Sequence, residues 1–401
     1  MPQNARGSTG LWDVTFGWYL LLSFLWNVGL GVFPPLLSQI MTDLDLTFAG
    51  AGMLGTIYAL SRFLVDLPAG LVAERLGVPL LLHGAFGLFL AGTALCGWAD
   101  SFRGMLAARA LLGVGSGMAT VFAILYLMRQ GEPAHRNRRS NLSELSVIAG
   151  MAVSSEAAGL ITMRWSWRAS FWMATGIFLL AWLVAARRVL PKVRPLLEGG
   201  EAPASKPPAN RAAGAPGRLP VMYLLIFSQA FAWGGGVATL LPLYGGEALH
   251  MSPAVIGRTM AVAFWIEVCL LFPVGWAADV FGQGRVVLPG FLAMLAGTAL
   301  TPFAANAGSY QAAFVLLVGG MSVWMASPAL LAEEMAGTFR GKAAAFYRLV
   351  TDLGFILAPG LVGWLVGRSG FGAAAVAIGV VLTAAVLATP RLLGGDRFSG
   401  R

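Results

Sequence analysis

Eight ionisable side chains lie inside long apolar runs of this sequence: Arg62, Asp66, Arg109, Glu144, Glu156, Glu267, Arg348 and Asp352. A charge held at the centre of an apolar layer costs at least ~2.5–3.5 kcal/mol to insert, so each needs a partner or a task. Arg62 and Asp66 are four apart, as are Arg348 and Asp352. That spacing puts each pair on one helix face, where it can neutralise itself locally. Glu156 and Glu267 have no Lys or Arg at i±3 or i±4. A carboxylate buried without a cation is a candidate to carry a proton or to hold a cationic ligand. The plainer alternatives are a carboxylate facing a wet cavity, or one paired with the distant Arg109. Glu144 stands near Arg138 and Arg139 and is expected to pair with them at the surface.

The elements that position these charges are apolar segments. The chain has 401 residues, 57% hydrophobic and 11% charged, where a soluble domain carries about 25% charged residues. That deficit excludes a soluble enzyme, a nucleic-acid binder and a disulfide-built secreted module. Twelve runs are long enough to cross a membrane as helices: 14–37, 49–72, 80–98, 104–128, 142–162, 169–189, 220–244, 255–278, 286–305, 310–331, 343–366 and 371–389. With the N-terminus inside, and residues at span edges counted with the adjoining loop, 19 of the 27 Lys and Arg fall in inside loops and tails, five in outside loops and three deep within spans. This bias places both termini in the cytoplasm, with the chain in the inner (plasma) membrane. The +9 net charge is thereby mostly a topology signal. No cleavable leader is visible. Cys96 and Cys269 fall in different spans, and His83, His135 and His250 are isolated, so no disulfide, metal site or cofactor is expected.

The polar stretch 191–218 reads as a linker between halves 1–190 and 219–401. The halves repeat. Gly70–Gly77 matches Gly275–Gly282 at an offset of 205, Thr47–Gly52 matches Ser252–Gly257 at 205, and Pro35 matches Pro242 at 207. Six spans per copy keep the two copies in one orientation, which is the architecture of alternating-access carriers.

Four stretches resemble the major facilitator superfamily. Gly70–Leu80 and Gly275–Arg285 are similar to its G-x-x-x-D-R-x-G-R loop, with Gly70, Glu74, Arg75, Gly77, Gly275, Asp279, Gly282 and Arg285 on the motif positions. Arg109–Gly117 resembles its R-x-x-x-G-x-G-x-G helix, and Ser166–Trp172 its W-R-x-x-F stretch. Glu74 stands where Asp is commoner. Span 5 has Ser155-Glu156-Ala-Ala-Gly159 where drug–proton antiporters carry G-P-x-x-G-G, whereas span 11 keeps Ala358-Pro359-Gly360. The resemblance implies an all-α integral membrane protein of twelve helices in two pseudo-symmetric six-helix bundles. It implies that spans 2 and 11 face each other, so that Arg62 could pair with Asp352, and Asp66 with Arg348, as a cytoplasmic gate. It gives Arg109 a proton-relay role, against the alternative of snorkelling to the outer surface. It also points Trp26, Asn27, Ser116, Thr120, Gln229, Trp233, Ser322 and Trp324 toward a central cavity.

The function expected is a secondary transporter of a small organic solute, proton-coupled, with export preferred and the single chain as the working unit. An uptake symporter for an organic anion and a non-transporting sensor are the alternatives. No nucleophile–base set suggests an enzyme, no Walker-type G-x-x-x-x-G-K-[ST] suggests an ATP-driven pump, and no nucleic acid is expected as a partner.

Overall fold

Local signals start and stop each helix. Asp13 opens α1 (Val14–Asp43) by accepting the Phe16 amide at 2.7 Å. Thr47 caps α2 (Phe48–Leu76) through the Gly50 amide. Gly77, at φ 85°, separates α2 from α3 (Val78–Trp98), and α4 (Phe102–Arg129) follows. Then come α5 (Arg136–Arg164), α6 (Trp167–Val193) and α7 (Leu219–Ala248). Ser252 caps α8 (Pro253–Phe281), and Gly282, at φ 86°, divides it from α9 (Gln283–Leu300). Asn306 and Ser309 form a capping box on α10 (Ala307–Met321). The helical course Arg340–Ala388 is broken by Gly370 (φ 81°, ψ 174°) into α11 (340–369) and α12 (371–388).

This computed structural model describes residues 13–129, 136–193, 219–323 and 340–390, with the backbone alone for 66–76, 128–129, 136–137, 283–284 and 340–345. Among the described residues all regular elements are helical. Ten of these courses are long and apolar enough to cross a membrane, α10 is a shorter apolar helix, and Gly370 makes two crossings of the last course. The protein is a multi-pass membrane protein. Most of the expected linker (194–218) and the end of span 10, with Trp324, lie outside the described residues; 191–193 continue α6.

Two expected helix ends are corrected. Span 1 does not stop at 37: a 3-10 turn at Pro34–Leu36 leads straight into Leu37–Asp43. Span 7 does not stop at 244: it runs through π-helical turns at Trp233–Leu240 and Tyr244–Ala248. Pro34, Pro35 and Pro242 sit in the first turn of a new helical piece, where the missing N–H leaves no bond unmade.

The repeat is visible in the backbone. Asp45 and His250 share a positive φ of 48° and 50°, Thr47 and Ser252 both cap through the amide three residues on, and Gly77 and Gly282 share φ near 85°. Each pair is 205 apart. Buried apolar side chains sort into two clusters, one almost wholly from α1–α6 and one almost wholly from α7–α12. Gly77 and Gly282 mark one face of the molecule, called here the motif side. Thr47, Ser252 and Gly370 mark the far side.

Candidate functional site: a cavity between the two halves

Two helix crossings close the halves on the far side. In one, α2 meets α11: a methyl added at Gly52 would strike the Pro359 carbonyl, and one at Gly363 the Phe48 carbonyl. In the other, α8 meets α5: a methyl at Gly257 would strike the Ser155 carbonyl, and one at Gly159 the Pro253 carbonyl. Glycine is required at all four because backbone meets backbone. Thr56 Oγ1 stitches the first crossing by donating to the Ile356 carbonyl at 2.8 Å and accepting the Gly360 amide at 3.0 Å. Ser38 Oγ donates to Glu247 across the ends of α1 and α7, and Phe371 packs edge-on against Phe48 and Tyr244.

Below this seal lies a cavity of about 540 Å³, a size that suits a small organic ligand. Its lining reaches Leu127 and Ser140, within about a turn of the motif-side ends of α4 and α5. Trp26, Asn27, Ser116, Thr120, Gln229 and Trp233 are among its lining residues. Asn27 donates to the Ser23 carbonyl, Thr120 to the Ser116 carbonyl and Gln229 to the Met321 carbonyl. Trp233 stands edge-on to Phe355 at 5.6 Å. Ser322 is buried, but its hydroxyl bonds back to the Gly319 carbonyl.

Five charged side chains line this wall: Arg62, Arg109, Glu144, Glu267 and Asp352. Arg62 Nη2 reaches Asp352 Oδ1 at 3.5 Å, and Arg348 Nε approaches Oδ2 of the same carboxylate at 3.8 Å. The cross-helix pair and the local i,i+4 pair therefore coexist. The Asp66 side chain, and with it the Asp66–Arg348 pair, lies outside the described residues, as do the side chains of Glu74 and Arg75, while Gly70 is described by its backbone. Asp279 and Arg285 are exposed at the motif side.

Arg109 does not snorkel. It is buried, with its guanidinium 3.8 Å from the Phe33 ring centre and 4.6 Å from that of Tyr58, and its Nε donates to the Leu54 carbonyl. Ring faces offset the charge in place of a carboxylate. Glu267 is buried on α8 and faces the cavity, with no hydrogen bond or ion pair among the described residues.

Two expectations about carboxylates change. Glu156 is not unpaired: it meets Arg258 Nε of α8 at 3.4 Å, with both side chains largely exposed at 41% and 65%. Its partner is supplied across the crossing, 102 residues away, where spacing along one helix carries no signal. Glu144 does not pair with Arg138 or Arg139 at the surface; it opens into the cavity. Arg139 instead turns to Asp13 at 2.9 Å, beside the Phe16 ring. Reading the cavity face of α5 through Ser140, Ser143 and Val147 would have placed Glu144 on it.

The fold agrees with that of the proteins this chain resembles. The model of the Major Facilitator Superfamily matches residues 19–254 and 222–399. The chain is 24% identical to the inner membrane transport protein YajR of Escherichia coli K12, over 91% of this chain and 78% of that one. It is 30% identical to the multidrug resistance protein MdtL of Escherichia fergusonii, over 48% of this chain and 49% of that one. A bacterial homologue of the human lysosomal transporter Spinster, solved inward-facing and occupied, superposes with a TM-score of 0.72 at 16% identity, over 96% and 98% of the two chains.

Proposed function

Because the chain belongs to the major facilitator superfamily and is a membrane transporter by that membership, we propose that it exports a small organic solute by proton-coupled alternating access. Glu267 carries the reading. It is a buried carboxylate on the cavity wall, and it stands without a cation among the described residues. Such a group can exchange a proton for a ligand as the cavity changes sides.

The basic-residue bias puts the motif side and both termini in the cytoplasm of the inner membrane, so the cavity opens inward. Halves 1–193 and 219–401 rock as bodies about the glycine crossings, joined by a linker at 194–218. The Arg62–Asp352–Arg348 cluster is the gate that regroups in this motion, and the paired loops around Gly77 and Gly282 stop it at each end. Glu156 with Arg258 serves as a far-side latch. The export direction draws on the name of MdtL, a multidrug resistance protein. The cavity offers an anion little, since Asp352 holds Arg62 and two rings cover Arg109. A single chain contains both halves and is taken as the working unit.

The test is transport into proteoliposomes under an imposed pH gradient. Glu267→Gln is expected to lower gradient-driven transport at least about tenfold, the scale of losing a proton carrier, while solute-for-solute exchange persists. Gradient-driven transport at the parent rate in Glu267→Gln would overturn the assignment.

A further inference from the structure

The repeat relates the two crossings residue by residue, and the charges on them are inverted. The offset is 205 from α2 to α8 (Phe48 to Pro253, Gly52 to Gly257) and 204 from α5 to α11 (Ser155 to Pro359, Gly159 to Gly363). These offsets place Arg62 over Glu267, Arg348 over Glu144, and Asp352 over Ile148. On the α2–α11 crossing, two guanidiniums converge on the Asp352 carboxylate between them. On the α5–α8 crossing, two carboxylates stand at the matching positions, and the centre holds an apolar side chain.

Both carboxylates face the cavity. Glu267 is nine-tenths buried and has no hydrogen-bond or ion-pair partner among the described residues. Ile148 lines the cavity beside them. Counting ~1.5 Å per residue, Glu144 lies roughly 12 Å and Glu267 roughly 21 Å from the motif-side ends of their helices. That matches the depths of Arg348 and Arg62. Phe264, one turn before Glu267, and Trp233 supply aromatic faces on the same wall. Carboxylates with aromatic faces are the chemistry that holds a weakly hydrated cation.

We propose that the cavity wall around the uncharged centre of this inverted triad is the substrate site, that it takes an organic cation with an apolar or aromatic body, and that Glu144 is its second anchor beside Glu267. The inference rests on the transporter reading of the same cavity and deepens it by naming the substrate class. Because Glu144 belongs to the first half and Glu267 to the second, the cation bridges the two bodies that move.

The experiment is equilibrium binding to the purified full-length protein, with tetraphenylphosphonium as the cation and 2-naphthoate as an anion of similar apolar character. Tetraphenylphosphonium is expected to bind and 2-naphthoate not to. Glu144→Gln and Glu267→Gln should each weaken the cation at least about tenfold. Glu144→Asp should keep most of the affinity, and Asp100→Asn, on a distant loop, all of it. Ile148→Lys tests the centre directly: a tethered ammonium between the two carboxylates should abolish tetraphenylphosphonium binding, whereas Ile148→Met should not. Preferential binding of 2-naphthoate, or parent-like cation affinity in Glu144→Gln or Ile148→Lys, would overturn the proposal. Cation binding with this charge dependence but no response to a pH gradient would sink proton coupling and leave the site standing. Gradient-driven transport with no cation binding would do the reverse.

Discussion

The α2–α11 and α5–α8 crossings share a backbone and differ in chemistry. Each is closed by a pair of glycines set against carbonyls of the opposite half, at positions the repeat superposes. Yet one crossing carries an ion-paired cluster, Arg62 and Arg348 on Asp352, and the other carries Glu144 and Glu267 with Ile148 at the position that matches Asp352. Duplication has kept what the hinge geometry needs, because a methyl group at the crossing is forbidden on either side. Side chains that face the cavity are free of that constraint, and there the halves diverge. Function in such a pair is best sought where pseudo-symmetry holds for the backbone and fails for the charge.

That comparison can be broken at several levels. The largest effect is expected from Gly52→Leu or Gly257→Leu. Each forces the far side apart and should cut transport by about 100-fold, the consequence of shifting a two-state balance by roughly 3 kcal/mol. If the crossings are equivalent hinges, the two losses match; a mild effect at one of them would show that only the other bears the closure. Next comes Asp352→Asn, which leaves two guanidiniums facing each other. Removing one partner of a buried pair costs up to ~3–5 kcal/mol, read as a lowered unfolding temperature together with slowed transport. A charge exchange, Arg62→Asp with Asp352→Arg, should restore part of the loss if the cross-helix contact matters, and none if only the local Arg348 contact does. The smallest effect belongs to Glu156→Gln or Arg258→Ala. Exposed pairs contribute about 0.2–1 kcal/mol, so transport within about twofold of the parent is expected. A tenfold loss there would show that the latch is desolvated during the cycle.

The spans, their order and the repeat were legible in the sequence because a bilayer demands continuous apolar runs, and because Gly77 and Gly282 must adopt a backbone few other residues tolerate. The cavity wall was legible through Trp26, Asn27, Gln229 and Trp233 once the family fold was supposed. Pairing across helices was not. Arg258 reads as a loop charge until α8 brings it to Glu156, and Glu144 reads as a neighbour of Arg139 until Asp13 takes that arginine. Helix ends were misjudged where proline begins a new turn, at Pro35 and Pro242. For the pairings the missing information was a contact between segments distant in the chain; for the helix ends it was local.

Arg109 has a further consequence. On a straight count of ~1.5 Å per residue it lies roughly 30 Å from the motif-side end of α4, deeper than either cavity carboxylate. Its charge is offset by two ring faces and a backbone carbonyl, none of them a carboxylate that an arriving proton could discharge. On the proposed site, a cation that passed Glu144 and Glu267 would meet the positive charge of Arg109 ahead of the sealed face, as in pores that use a fixed arginine to turn cations back. Slippage past that site would then be opposed electrostatically as well as sterically, and a bound cation would have to wait for the halves to move.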